Sequence, residues 1–162
     1  MMKRHFSGLM VVKPLPEEAY RVVFITEVGL KIFDMSFTRE EVIVHYFIEA
    51  MNKKALVNTL KRDIGLILMR DHGDQVPAVL HERSSGAMVL KYHENGRRYY
   101  YRLDARGNTY GIVQSGRILR KVNADFYSTS DHKVDSIFIS HEHVNLRIKL
   151  IRISNTTDHA EE

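Results

Sequence analysis

The sequence contains no cysteine, and this absence removes several classes of chemistry. Without cysteine the chain forms no disulfide, no thiolate zinc site and no thiol nucleophile, although the compartment is left open. Long apolar runs are also missing, since the longest, Gly65–Met69 with its neighbours, is far too short to span a bilayer. Met1–His5 leads into a strand pattern without the apolar segment of a secretory signal. We therefore expect a cytoplasmic protein if Met1 is the true start, and a trimmed chain otherwise.

Sequence motifs of catalysis and phosphate binding are missing as well. The chain has neither H-E-x-x-H nor a glycine-rich phosphate loop, and no G-x-S-x-G elbow surrounds a serine. Asp34 and His45 lie in predicted strands and are candidates for general acid–base chemistry. Such side chains more often face solvent or form hydrogen bonds. We therefore expect a protein that is not an enzyme and that needs no cofactor.

One histidine cluster has the chemistry of a metal site. On a strand, the two histidines of His141-Glu142-His143 share a face, and Asp131-His132 precedes them in the chain. Two imidazoles and a carboxylate suit zinc or a redox-active metal. A solvated turn between two strands explains the same residues without a ligand, and we expect no metal site there.

The balance of charge is nearly even. The 162 residues include 24 Lys and Arg against 20 Asp and Glu, a formal net charge of +4, and the basic residues are scattered. A nucleic-acid partner is therefore not favoured. Hydrophobic and charged fractions of 44% and 27% are ordinary for a globular protein. A chain of this length suits one domain that buries roughly 70% of its unfolded surface. We expect that domain over residues 1–154 and a polar tail over 155–162.

Short segments of alternating polarity run through most of the chain, as in β-strands. One amphipathic helical pattern, Lys53–Met69, interrupts them. Asn95-Gly96 predicts a tight hairpin, because both central residues of a type I′ turn need positive φ. Val76–Gly86 is ambiguous, either a short helix or an irregular crossing. The predicted strands are Phe6–Lys13, Tyr20–Thr26, Leu30–Phe37, Val42–Ile48, Ala87–His93, Arg97–Leu103, Thr109–Gln114, Arg117–Val122, Val134–Ser140 and Val144–Ile153.

This order of elements predicts a mainly β fold of the α+β kind. We expect one curved antiparallel sheet of about nine to eleven strands, shaped as a half-barrel. The helix Lys53–Met69 is expected to pack on the concave face of that sheet, because its apolar stripe must be buried against another element.

Three segments of the chain resemble one family. They are Phe6–Val12, the paired block Tyr20–Gly29 with Lys31–Asp34, and the helix Ala55–Ile64. Together they are similar to bacterial lipoprotein carriers and receptors of the LolA and LolB type, and to related Bacteroidetes lipoproteins. The resemblance implies an open half-barrel lined by helices, an apolar cavity for acyl chains, and a place in the periplasm or anchored to the outer membrane. The family's N-terminal helix and opening strand have no counterpart before His5, and its lipobox cysteine is absent.

An apolar face of the predicted sheet is the candidate ligand-binding site. Alternate side chains of a strand share a face, and long methionines adapt to lipid tails. The alternative is that the same side chains fill a closed core beneath the helix. The residues that we expect to line the site are Phe33, Met35, Phe37, Met88, Leu90, Tyr99 and Tyr101 from the sheet, with Leu60 and Ile64 from the helix.

The favoured hypothesis is a non-catalytic binding protein that shields an acyl chain, a lipid or a lipoprotein anchor between sheet and helix. It would meet a membrane surface or a partner protein. The alternative is a structural or assembly module that pairs with a partner through a sheet edge. A third hypothesis rests on Arg98, Tyr100 and Arg102, which share a strand face opposite Tyr99 and Tyr101. Tyrosines flanked by arginines can stack nucleic-acid bases, but we rank nucleic acid last.

Overall fold

A computed structural model describes residues 7–69, 75–82, 85–116, 121–128, 133–142 and 146–153. The backbone divides into two compact units, Met1–Asp71 and His72–Glu162. The described residues form eleven antiparallel strands, one α-helix and a short 3₁₀ turn. The predicted mainly β fold with one main helix is confirmed. The single domain over residues 1–154 stays a prediction, and the tail, 155–162, lies outside the described residues.

The first unit is a four-stranded sheet with a helix on one face. Each strand pairs with the next along the chain, so the order in the sheet is the order in the sequence. The helix begins and ends within two residues of the predicted bounds. The elements are β1 (Gly8–Leu15), β2 (Ala19–Thr26), β3 (Lys31–Phe37), β4 (Val42–Phe47), the 3₁₀ turn Glu49–Met51, and α1 (Lys54–Ile67).

The helix packs on this sheet because the apolar stripe of α1 meets apolar side chains of β2, β3 and β4. Val22 and Met35 are 0% exposed and Ile64 is 2% exposed, and all three belong to one buried cluster. Lys61 Nζ donates a hydrogen bond to the carbonyl of Val42 at 3.1 Å. This hydrogen bond connects α1 to β4, which is an edge strand of the sheet among the described residues.

The second unit is a seven-stranded antiparallel sheet, again with sequence neighbours as strand neighbours. Asn95 and Gly96 make the turn between its second and third strands with φ of 50° and 74°, so the predicted hairpin is confirmed. Its most buried side chains are Ile112, Ala124 and Ile139, each 0% exposed. The strands are β5 (Ala78–His81), β6 (Met88–Glu94), β7 (Arg97–Leu103), β8 (Thr109–Ser115), β9 (Lys121–Ser128), β10 (Val134–His141) and β11 (Arg147–Ile151).

The structure differs from the prediction in three places. The strands form two sheets instead of one, because after β4 the chain enters the 3₁₀ turn and the helix and makes no hairpin to β5. Within Val76–Gly86, Ala78–His81 forms a strand that pairs with β6, instead of a helix or an irregular crossing, and Arg83 and Ser84 lie outside the described residues. β9 continues to Ser128, whereas the predicted strand ended at Val122. Residues 117–120 and 143–145 and Phe6, where three predicted strands begin, lie outside the described residues.

Candidate ligand-binding site

Five of the nine predicted ligand-lining residues lie in the first unit, between sheet and helix. Four of them are at most 5% exposed, and Leu60 is partly buried against them. The ring of Phe33 stacks on those of Phe24 and Phe47, with centroid distances of 5.7 and 6.1 Å. These side chains pack against one another, as the closed-core alternative expects. The five residues are Phe33, Met35, Phe37, Leu60 and Ile64.

The other four predicted residues lie together on one face of the second sheet. Directly paired residues of neighbouring strands share a face, and Leu90 pairs with Tyr101, as Tyr92 pairs with Tyr99. The rings of Tyr92 and Tyr101 meet edge to face with their centroids 5.5 Å apart. We call this surface the apolar face. Its side chains include Val79, Met88, Leu90, Tyr92, Tyr99, Tyr101, Leu103, Ile112, Val122, Ala124, Phe126, Ile137, Ile139, Ile148 and Leu150.

Exposure of the apolar face changes along the sheet. Its centre, on β8 to β10, is fully buried. At the β5–β6 end, Val79 is 55% exposed and Met88 is 37% exposed. Apolar side chains that stay open beside a buried apolar centre make this end of the face the candidate binding surface. The predicted set is therefore divided between a packed core in the first unit and a partly open face in the second.

Val79 is a site candidate that the sequence prediction missed. It pairs with Leu90 and so lies directly beside one of the predicted residues. Its strand is only four residues long and follows Pro77. The apolar run Ala78-Val79-Leu80 was the available signal, but such a short run does not separate a strand from a helix turn.

The opposite face of the second sheet carries a series of cationic side chains among polar and apolar ones. The cross-strand pairs confirm that Arg98, Tyr100 and Arg102 lie together, opposite Tyr99 and Tyr101. We call this surface the basic face. Among the described residues, its six cationic side chains are Lys91, Arg98, Arg102, Lys121, Arg147 and Lys149.

Two carboxylates accompany cations of the basic face. Glu142 Oε1 lies 3.5 Å from Lys121 Nζ. Arg102 Nη2 donates to Asp125 Oδ1 at 2.7 Å, and the guanidinium carbon lies 5.3 Å from the centre of the Tyr110 ring. A Cβ at Gly111 would lie 2.8 Å from Arg102 Nε, so the glycine leaves room for the arginine to cross. Six cations against these two carboxylates give the described part of the basic face a positive balance.

The first sheet carries an ion pair on the face away from the helix. Arg21 donates from Nε to Asp34 Oδ1 at 2.8 Å and from Nη2 to Oδ2 at 2.9 Å, and Lys31 Nζ lies 3.6 Å from Oδ2. The hydrogen bonds from Arg21 hold the pKa of Asp34 below its ordinary value, although burial acts in the opposite direction. A carboxyl group that ionises more readily is poorly suited to hold a proton for general acid catalysis.

The second acid–base candidate, His45, also has a hydrogen-bond partner. Its Nε2 lies 2.7 Å from Ser36 Oγ, and Ser36 is 7% exposed. Asp34 and His45 thus both form hydrogen bonds with neighbouring side chains, as is usual for such residues in strands. That the protein is not an enzyme stays a prediction.

The histidine cluster is described only in part. His141 Nδ1 lies 3.0 Å from the carbonyl oxygen of Leu146. Asp131, His132 and His143 lie outside the described residues. Within the ranges that the structure describes, no three His, Cys, Asp or Glu side chains lie close enough to hold a metal ion.

Comparison with known proteins adds no relative. The chain matches no family model, no curated protein and no solved structure. In the part of the chain that the structure describes, no helix has both the length and the apolar character needed to cross a membrane. The similarity to carriers of the LolA and LolB type therefore stays a prediction from three segments of sequence.

Proposed function

We propose that the protein is a non-catalytic binding protein that shields an acyl chain on the apolar face of its seven-stranded sheet. The observation that carries the proposal is the exposure of Val79 and Met88, 55% and 37%, on a face whose centre is fully buried. Apolar side chains kept open beside a buried centre gain free energy when an apolar ligand covers them. The resemblance to lipoprotein carriers supports a lipid or a lipoprotein anchor as the ligand, and the periplasm or its membrane surface as the place of work.

The side chains at the open end suit an acyl chain. Met88 has an unbranched thioether chain that adapts to tails of different shape. Tyr101 is 8% exposed, pairs with Leu90 and meets Tyr92 edge to face, so the two rings hold each other in place beside Leu90. Binding of this kind gains about 0.8 kcal/mol per buried methylene. Affinity is therefore expected to rise with acyl-chain length until the face is covered.

The proposal needs only part of the predicted site. Met88, Leu90, Tyr99 and Tyr101 are proposed to contact the ligand, together with Val79. The five residues in the first unit stabilise the packing of α1 on its sheet. No contact between those five side chains and the ligand is required.

Two adjacent residues of β5 give a matched test. Val79 lies on the apolar face, whereas Leu80, which is 42% exposed and pairs with Val89, lies on the basic face. Val79→Asp puts a charge where the ligand would exclude water, and Leu80→Asp puts the same charge in solvent. In titrations with a fluorescent long-chain fatty acid, Val79→Asp is expected to bind at least about tenfold more weakly than wild type. Leu80→Asp should bind like wild type.

Two results of that titration would contradict the proposal. Equal affinity of the two variants would mean that the ligand does not bind on the apolar face. A wild-type chain that takes up no fatty acid of any length would contradict the proposed function as a whole. Far-ultraviolet circular dichroism of both variants checks that they keep the strand content of wild type.

One observation favours a second candidate, an assembly module. Among the described residues β1 is an edge of the first sheet, and Leu9, Val11 and Val12 are 42, 45 and 39% exposed. Adjacent residues of a strand face opposite ways, so apolar side chains are open on both faces of this edge. Natural edge strands are usually protected by charge or bulges, because an open one pairs with other chains.

Light scattering tests the second candidate. An assembly module gives a stable oligomer of the purified chain that Val11→Lys disperses. Val28→Lys, at a site 90% exposed in the turn after β2, should leave that oligomer intact. A wild-type chain that stays monomeric at high concentration would contradict assembly through β1 between copies.

A further inference from the structure

The basic face carries an exposed apolar cluster at one corner. Tyr127 on β9, Phe138 on β10 and Ile151 on β11 are 57, 38 and 65% exposed. Tyr127 and Ile151 both pair with Ser136, and Phe138 follows two residues later on the same face. The three side chains therefore lie on neighbouring strands, and we call them the corner cluster.

Cationic side chains border the corner cluster. Lys149 pairs with Phe138, and its Nζ lies 5.9 Å from the centre of the Phe138 ring. Arg147 lies two residues before Lys149 on the same face of β11, and both are exposed. Asp125, which also pairs with Phe138, accepts a hydrogen bond from Arg102. The corner cluster is thus accompanied by positive charge along the outer strand of the sheet.

We infer that this corner docks the protein on the surface of an anionic phospholipid bilayer. Aromatic and aliphatic side chains enter the interfacial layer, while lysine and arginine contact the headgroups. The inference rests on the proposed function, because a protein that shields acyl chains must collect or release them at a membrane. Docking uses the basic face, so it leaves the apolar face of the same sheet open to a ligand.

Two features favour a bilayer over single-stranded nucleic acid. Ile151 is the most exposed of the three side chains and has no ring on which a base could stack. Lys149 lies over the ring of Phe138, and Arg102 is engaged by Asp125. Stacking and phosphate contacts would have to displace these neighbours, whereas headgroup contacts need only the cations of β11.

Sedimentation with lipid vesicles tests the inference on the full chain. Wild type is expected to bind vesicles that contain phosphatidylglycerol, and to bind pure phosphatidylcholine much more weakly. Binding should fall with added salt, which screens the attraction. Arg147→Glu with Lys149→Glu should weaken binding by about tenfold or more. Ile151→Ser should weaken it by about fivefold with the salt dependence unchanged.

Lys13→Glu with Lys54→Glu is the matched control. It changes the net charge by the same amount at exposed positions in the first unit, and it should bind like wild type. Wild type that ignores anionic vesicles would overturn the inference, and so would equal binding by all the variants. Loss of single-stranded DNA binding in Arg147→Glu with Lys149→Glu, without vesicle binding by wild type, would assign the corner to nucleic acid instead.

The vesicle assay and the fatty-acid titration test the docking corner and the proposed function independently of each other. Fatty-acid uptake in solution without vesicle binding refutes the docking corner and leaves the proposed function intact. Vesicle binding without fatty-acid uptake refutes the proposed function and shows a membrane surface with another purpose.

Discussion

Asp34 is a buried charged residue in the middle of β3. It lies between Phe33 and Met35 and is 5% exposed. Moving a carboxylate out of water is costly, and the bidentate pair with Arg21 offsets that cost. The alternation of β3 was readable in the sequence, but this partner was not. Arg21 is 13 residues away, and its position depends on the register of β2 against β3, which a bulge after Phe24 shifts.

Asp34→Asn is expected to destabilise the protein at neutral pH and much less in acid. The folded-state pKa of Asp34 is lowered, chiefly by the hydrogen bonds from Arg21. The stabilisation by the carboxylate is therefore complete above the unfolded pKa of about 3.9 and is lost as pH falls through the folded-state pKa. The urea midpoints of wild type and Asp34→Asn should differ at about pH 6, and the difference should shrink once the pH falls below about 3.9. A difference that stays constant with pH would contradict the ion pair.

At the scale of elements, the helix and the hairpin were readable because their signals are local. The stripe of α1 repeats with the period of a helix, and Asn95-Gly96 supplies the two positive φ angles that its turn needs. β5 and the second half of β9 were missed for local reasons as well. β5 is four residues long. In β9, Asn123 and Asp125 are poor strand formers that obscure the alternation of its buried neighbours.

Ile64→Ala is expected to lower the free energy of unfolding by about 2–5 kcal/mol. Ile64 is 2% exposed between α1 and the first sheet, so truncation leaves a cavity. Asn58→Ala, at an exposed position of the same helix, is the control and should change stability by less than about 0.5 kcal/mol. Urea denaturation gives both values. Equal, small effects would mean that the helix is not packed on the sheet through this side chain.

Gly96→Ala is expected to destabilise the second unit by about 1–2 kcal/mol. No atom lies within 4 Å of a Cβ at this position, so the cost comes from the backbone φ of 74° alone. Asparagine tolerates this conformation better than alanine, and Gly96→Asn should therefore be the milder change. Thermal unfolding of the two variants compares them. An alanine variant as stable as wild type would show that the turn does not need a positive φ there.

At the scale of the whole molecule, the fold class followed from the sequence but the division of the sheet did not. Strand signals show which segments are extended, whereas the break between β4 and β5 depends on long-range pairing. The candidate site, too, could be predicted from the sequence only in part. Periodicity placed Phe33 and Met88 on apolar faces, yet only the folded structure distinguishes the packed Phe33 from the open Met88.

Native mass spectrometry of the protein, purified without detergent, tests the central claim most directly. We predict extra mass from a co-purifying acyl lipid, or stoichiometric uptake of an added long-chain fatty acid, that is reduced in Val79→Asp and retained in Leu80→Asp. A wild-type chain that carries no lipid and takes up none would contradict the claim that the apolar face holds an acyl chain.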